Sequence, residues 1–446
     1  MDSPERSVTD VLRRLDECLV RIPRASTFRF EGRVTDVVGV VIESEGPSAS
    51  IGDVCLIRSR SGECAQEAEV VGIRGHKVLL MALGELNGIG PGSLVVRKRQ
   101  QFSTPVGPEL LGRVIDGLGR PIDNKGPLRT SQRRSIYQPA PDPLTRRRIE
   151  RPLATGIRAI DALLTCGEGQ RLGIFSGSGV GKSVLLGMIA RNTDADVNVI
   201  GLIGERGREV RDFLERDLGE EGLRRSVVVV VTGDQAALLR VKGALVATTI
   251  AEYFRDQGLR VMLMMDSITR VAMAQREIGL SVGEPPTTRG YTPSVFAFLP
   301  KLLERAGTTQ TGSITGLYTV LVEGDDLNEP VSDAVRAILD GHVVLSRRLA
   351  NLNHYPAIDV LASTSRVMID VVSKEHLEAA RKVVEILSTY REAEDLINIG
   401  AYVPGSNRKI DYARSMIERV NAFLRQGIDE KVDFASALSD LKALVG

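Results

Sequence analysis

The sequence contains no tryptophan, and eight tyrosines with ten phenylalanines leave aromatic side chains at 4% of 446 residues. A surface that stacks the bases of single-stranded nucleic acid needs more rings than that. An excess of one charge is missing too. The 58 Lys and Arg stand against 57 Asp and Glu, a net of +1, which offers no attraction toward nucleic acid or an anionic membrane. Cys18, Cys55, Cys64 and Cys166 are scattered without a C-x-x-C pair, so neither a zinc site nor a disulfide framework is indicated. Reduced thiols in a cytosolic protein are expected. No uncharged run reaches membrane-spanning length. The start, MDSPERSVTD, lacks the basic segment and apolar core of a signal peptide. A cytoplasmic location follows as the expectation.

What is present suffices for two or three domains with substantial cores, since 43% of the residues are hydrophobic. In SVTDVLRRLDECLVRI, apolar residues from Val8 to Ile22 recur at three- and four-residue steps. That predicts an amphipathic helix within residues 1–24, docked either on a partner or on its own domain. Residues 25–100 change texture: short β-rich runs (VVGVVIES, EAEVVGI, HKVLLMAL) alternate with Gly, Ser, Asp and Asn turns. A small antiparallel barrel is expected. The Pro-dotted YQPAPDPLTRRRIERPLATG reads as a boundary, and its triple arginine, Arg146–Arg148, as solvated linker surface. Residues 101–372 then carry the apolar runs RLGIF, VNVIGLI, SVVVVVT, RVMLMMD and LYTVLVEG between helical stretches. Runs apolar on both faces, alternating with helices, predict an α/β core with a parallel sheet covered on two sides. Residues 373–446 read as helical, with Gly400 and Gly427 as helix stops.

The chemistry concentrates in RLGIFSGSGVGKSVLLG, where an apolar strand runs into a glycine-rich loop and then a helix starting near Gly181. Such a loop (Gly177, Ser178, Gly179, Val180, Gly181, Lys182, Ser183, Val184) aims backbone N–H groups at phosphate oxygens, aided by the helix N-terminus. Lys182 is placed to reach the β- and γ-phosphates and the Ser183 hydroxyl to ligate Mg²⁺. The usual G-x-x-x-x-G-K-[ST] pattern has glycine where Ser176 stands, and backbone strain is the expected cost. Asp266 ends the apolar run RVMLMMD, where a carboxylate can hold a water on Mg²⁺. In VIGLIGERGREV a strand ends at Ile203, and Glu205 follows on the ligand-binding side of a parallel sheet. Hydrolysis of a phosphate ester needs a carboxylate there to orient water; a loop of solvated charges reads equally well from this segment alone. Arg366, after a Ser/Thr-rich turn, is either an ordinary surface arginine or a finger facing a neighbouring subunit's nucleotide, worth roughly 10³–10⁵-fold in rate. His354 reads as structural.

Taken in order, GSGVGKS, GERGREV, MMDSITR and YPAID-x-x-AS-x-SR resemble the catalytic subunits of rotary ATP synthases. With EPPTTRGYTPSVFAFLPKLLERAG and VEGDDLNEPVSDAVRAILDGHVVLSRRLA, the chain is more similar to the type III secretion ATPases of flagella and virulence systems. The resemblance implies a RecA-like core between an N-terminal β-barrel and a C-terminal helical domain. It implies ATP and Mg²⁺ at the loop, Glu205 as catalytic glutamate, and Arg206 as a phosphate-side arginine. Glu209 and Arg270 would line the same pocket, Tyr355 would stack on adenine, and Arg366 would act in trans. It further implies a homohexamer, a stator-like regulator on the N-terminal domain and a central coiled-coil stalk. An export gate and substrate–chaperone complexes are implied as further partners, at the inner face of the cell membrane with only peripheral attachment.

The expected function is ATP hydrolysis that energises flagellar protein export, with the virulence apparatus as the alternative and a rotary synthase subunit as the residual one. An RNA-translocating hexameric motor shares core and barrel, but residues 27–100 hold only Phe28 and Phe30 as aromatics, too few for that reading. A non-hydrolysing ring subunit would lack the acid at Glu205.

Overall fold

The computed structural model describes residues 31–446 except 61, 63, 323, 325, 327 and 328. The helix expected within residues 1–24 lies outside the described residues. The chain divides into two compact units, residues 1–101 and 102–446.

In the first unit, two-residue periodicity closes a sheet on itself. The strands are β1 (Glu31–Val38), β2 (Val41–Glu45), β3 (Asp53–Arg58), β4 (Ala65–Arg74), β5 (Lys77–Ala82) and β6 (Leu94–Gln101). They form a barrel in the order β1-β2-β5-β4-β3-β6, antiparallel throughout and closed by β1 against β6. Val34, Ile42, Ile57, Val70, Leu80 and Val95 fill the interior, and closure removes the free edges that an open sheet exposes. Cys55 joins this core, and burial pushes its thiol up to about 11. Cys55, Cys64 and Cys166 are free thiols, and Cys18 lies outside the described residues.

The second unit begins with β7 (Ser103–Pro105), β8 (Arg113–Asp116) and β9 (Arg133–Ser135), of which β7 and β9 form a separate ribbon. The remaining strands are β10 (Arg171–Ser176), β11 (Val197–Glu205), β12 (Ser226–Thr232), β13 (Arg260–Asp266), β14 (Gly307–Thr308), β15 (Ser313–Leu321), β16 (Gly341–Leu345) and β17 (Thr364–Ser365). They build a sheet in the order β17-β16-β10-β15-β13-β11-β12-β8, with β14 attached to β15. All its pairings are parallel save those of β14 and β17. The five long apolar runs are β10, β11, β12, β13 and β15, as expected. The other four strands have two to five residues, too short for an apolar period to register.

Alternation along the strands explains why these runs are apolar at every position. Leu172, Ile174, Ile200, Leu202, Val228, Val230, Met262 and Met264 share one core with α1 (Lys182–Asn192). The intervening residues of β11 face α2 (Ala237–Asp256) instead, where a Cβ built on Gly201 would stand 3.3 Å from the Ala247 methyl; on β10 a Cβ at Gly173 would meet Leu339. The face that carries α1 continues into α4 (Lys374–Asn398), α5 (Arg408–Leu424) and α6 (Phe434–Val445) through Val383, Ile386, Val420 and Leu441. On the far side of the site described below, α3 spans Ile268–Val282.

Side-chain oxygens of Ser373, Asn407 and Asp433 accept backbone N–H groups at the starts of α4, α5 and α6. Gly400 follows α4 at φ +72°, as a helix stop should. Gly427 does not stop a helix: α5 ends at Leu424, and the Gly427 N–H donates to the Glu430 carboxylate at 2.9 Å. The arginine triplet departs from expectation as well. Arg146 donates to the carbonyls of Ala306 (2.7 Å) and Glu304, and Arg147 to that of Thr309 (2.8 Å). Two of the three guanidiniums are therefore anchors on the 304–309 turn, because carbonyls left over at a turn attract cationic donors.

Candidate active site

The glycine-rich loop leaves β10 at Ser176 and enters α1 at Lys182, at the carboxyl end of a central strand. Ligands bind at that edge of an open α/β sheet. Gly179 and Gly181 hold φ of +76° and +91°, a region that costs any residue with a Cβ. Ser176 departs from the strain expected of it: it is a regular strand residue without positive φ. Its cost is a buried hydroxyl with no hydrogen-bond partner among the described residues.

Lys182 lies between two carboxylates, with Nζ 2.5 Å from Asp266 Oδ1 and 3.5 Å from Glu205 Oε1. Burial disfavours its ammonium, but Asp266 and Glu205 together hold the pKa above its ordinary value. Asp266 ends β13, is 2% exposed, and accepts a second hydrogen bond from the Thr319 hydroxyl of β15 at 2.6 Å. Sequence patterning does not single out Thr319; its only signal is a small hydroxyl side chain inside the apolar run LYTVLVEG.

Glu205 is placed by a bulge. Strand β11 runs on past Ile203, the expected end, and its register against β12 shifts between Ile203 and Glu205. Gly204 occupies the shift at φ +81°, and a Cβ there would stand 2.7 Å from Cβ of Arg270. Bulges re-aim side chains beside active sites; here the result is a Glu205 carboxylate beside Lys182. Burial first, and the charge of Asp266 second, push Glu205 up to about 7. A hydrogen bond with Glu209 holds the proton on Glu205, and Glu209 itself lies below its ordinary value.

Lys182, Glu205 and Glu209 line a cavity of about 400 Å³ together with Gly177, Ser178, Ser183, Arg206 and Arg270, and Asp266 reaches it through Lys182. Arg206 points largely to solvent, 3.6 Å from Glu209. Next to this cavity lies a second, mostly apolar one of about 470 Å³, which shares Gly179, Gly181 and Val184 and adds Val180, Met188, Leu345, Tyr355 and Pro356. Its far wall is Gln426, Gly427 and Ile428, which explains why that glycine belongs to no helix end. The Gln426 N–H donates to the Tyr355 carbonyl at 3.0 Å. The wall from the C-terminal helices is invisible in the sequence, since some seventy residues separate Tyr355 from Ile428 along the chain.

Arg366 is not in this cluster. It follows β17, and its N–H donates to the Asp340 carbonyl at 3.0 Å, level with Arg171 at the start of β10. The loop leaves the other end of that strand, roughly 17 Å away at about 3.3 Å per residue. His354 is buried, and burial lowers its pKa.

A polar cavity with a lysine and two carboxylates, joined to an apolar slot behind one tyrosine, has the dimensions and chemistry of a nucleoside triphosphate site. The fold and site define a phosphate-loop nucleotide hydrolase with a parallel sheet core. Residues 156–365 match the nucleotide-binding domain of the ATP synthase alpha/beta family, and residues 34–99 its beta-barrel domain. Residues 372–443 match the T3SS EscN ATPase C-terminal domain. The Flagellum-specific ATP synthase of Bacillus subtilis (strain 168) is 55% identical over 427 residues, covering 95% of this chain and 97% of that protein. The Type 3 secretion system ATPase of Xanthomonas euvesicatoria is 52% identical over 413 residues, 93% of each chain. The assembled ATPase EscN from the enteropathogenic E. coli type III secretion system superposes with a TM-score of 0.89 at 46% identity, over 93% of this chain and all of that one. The chain belongs to the ATP synthase alpha/beta family, in its flagellar and type III secretion branch.

Proposed function

We propose that this chain hydrolyses ATP to energise protein export through a flagellar type III apparatus. The observation that carries the reading is the Glu205 carboxylate, held near neutral pKa 3.5 Å from the loop lysine. A base poised near the working pH takes a proton from water without being fully protonated itself. Lys182 and the loop N–H groups neutralise the charge of the β- and γ-phosphates. Arg206, Glu209 and Arg270 line the phosphate side, and Tyr355 covers the base in the apolar slot.

The donor set also fits Mg²⁺. Ser183 and Asp266 offer hard oxygen ligands, and among the described residues no group of three or more His, Cys, Asp or Glu would cage a metal instead. Mg²⁺ takes few protein ligands and keeps waters and phosphates for the rest. When bound it would draw charge from the phosphates.

Arg366 stands a strand's length from its own loop, which favours service in a neighbouring copy's site and hence a ring, a homohexamer in our reading. The EscN structure in complex with its central stalk EscO, at TM-score 0.86, supports a comparable stalk here. We place the stator-like regulator at the barrel, and the ring in the cytoplasm against the inner face of the membrane with the export gate and chaperoned substrates. No described helix is long and apolar enough to cross a membrane.

Glu205→Gln tests the chemistry. The variant keeps fluorescent ATP-analogue affinity within about threefold and loses at least about a hundredfold in phosphate release; unchanged turnover rejects Glu205 as the base. Deletion of the gene in its host tests the pathway. Loss of exported flagellar subunits supports the flagellar reading; intact flagella with lost effector secretion supports the virulence reading instead.

A further inference from the structure

Arg366 belongs to an exposed turn, yet the backbone around it is held by a fully buried amide. Gln170, 0% exposed, precedes β10. Its Nε2 donates to the Asp340 carbonyl and to the Ser365 hydroxyl oxygen, each at 3.1 Å. Its Oε1 accepts the Gly167 N–H at 2.8 Å. The Asp340 carbonyl is the same one that takes the Arg366 N–H. Ser365, the residue before Arg366, donates its own proton to the Thr165 carbonyl at 2.8 Å. The Asp340 carboxylate is itself held by Arg171, at 3.0 and 3.1 Å in a two-pronged pair.

We propose that Gln170 is a positioning residue for Arg366: it ties the start of β10 to the turn that carries the arginine. The inference rests on the reading of Arg366 as an arginine given to a neighbouring copy. Its physical basis is the geometry of one strand. The amino end of β10 is pinned to the Arg366 turn, and its carboxyl end opens into the chain's own phosphate loop. Between them β10 is paired on both sides, with β15 and β16, and a strand so held moves as a unit. A shift of the loop about its nucleotide is thereby passed to the arginine offered next door. Gln170 touches neither nucleotide nor reacting atoms, so its removal leaves the chain's own cavity intact and misplaces what the chain presents to its neighbour.

The test uses full-length chains co-expressed under two tags and purified through both, so that every ring is mixed. Gln170→Met keeps the side-chain volume and removes both donated bonds. Alone it is expected to lose about tenfold in kcat while KM and ATP-analogue affinity stay within about twofold. Lys182→Ala has a dead site and an intact arginine. In mixed rings its arginine serves the intact sites of Gln170→Met chains, and turnover is expected several-fold above the mean of the two proteins assayed apart. Arg366→Ala mixed with Lys182→Ala is the control and should show the same rescue. Rescue in the control but not with Gln170→Met overturns the positioning role and leaves the arginine's role standing. Failure of both mixtures overturns service in trans and this inference with it. Unchanged kcat in Gln170→Met alone also overturns it. If Gln170→Met does not fold, Ser365→Ala, which removes the hydroxyl's bonds to Gln170 and to the Thr165 carbonyl, is mixed and judged by the same criteria.

Discussion

An ionised Glu205 carboxylate is costly to the fold, and pH makes that measurable. Its folded pKa, about 7, lies above the ordinary 4.5. Between those values the folded chain keeps a proton that the unfolded chain has released, so stability falls as pH rises through that window. Above about 7 the whole penalty is present, on the order of 1–3 kcal/mol. Glu205→Gln removes it. The variant should melt above the parent at pH 8 and level with it at pH 4.5, read by thermal denaturation at both values. Equal midpoints at pH 8 would show that the ionised carboxylate carries no cost. The parent's kcat/KM should fall about tenfold per unit as pH drops below about 7.

At the scale of the element, a one-residue irregularity at the end of β11 aims Glu205, and a two-residue strand, β17, ends just before Arg366. Gly204 lets β11 slip its register, and its missing Cβ gives Arg270 its place. Gly204→Ala brings both a positive-φ penalty, about 1 kcal/mol or more, and a contact of 2.7 Å with Arg270. Turnover should drop at least about tenfold while the denaturation midpoint shifts modestly; normal turnover would mean that the bulge does not aim Glu205. The motif GERGREV identified Glu205 without revealing the bulge, because periodicity reads whether a segment is a strand and not where its pairing slips. The four short strands were hidden for a related reason. Their few residues are held by neighbours already in place rather than by their own pattern.

Long-range contacts hold the second unit together, and one of them sets a prediction for the whole molecule. Arg305 meets Glu252 of α2 in a two-pronged pair at 2.8 and 2.6 Å, both side chains at most 4% exposed, and also donates to the Ile136 carbonyl at 2.8 Å. Glu252→Ala leaves the guanidinium buried without its counter-charge and should lower unfolding stability by about 3–5 kcal/mol, seen as an earlier urea midpoint. A small shift would show that water reaches Arg305. The second prediction concerns neighbouring copies. If each site is completed by a neighbour's Arg366, specific ATPase activity rises with protein concentration over the range in which rings assemble, and Arg366→Ala flattens that rise. Activity independent of dilution down to the monomer counts against the ring.

By itself the sequence determined the classes of element and the chemistry at the strand ends: the phosphate loop, Lys182, Asp266, Glu205 and the barrel's alternation. Each is a local pattern, written in neighbouring residues by backbone sterics and side-chain period. Only the tertiary structure decided what those pieces meet. Thr319 on Asp266, the Gln426–Ile428 wall behind Tyr355, the arginine anchors at 304–309 and the Gln170 clamp under Arg366 all join residues tens to hundreds of positions apart. Nothing in a local period encodes such a meeting. It follows from the strand order, which packing selects by burying both faces of the sheet at once.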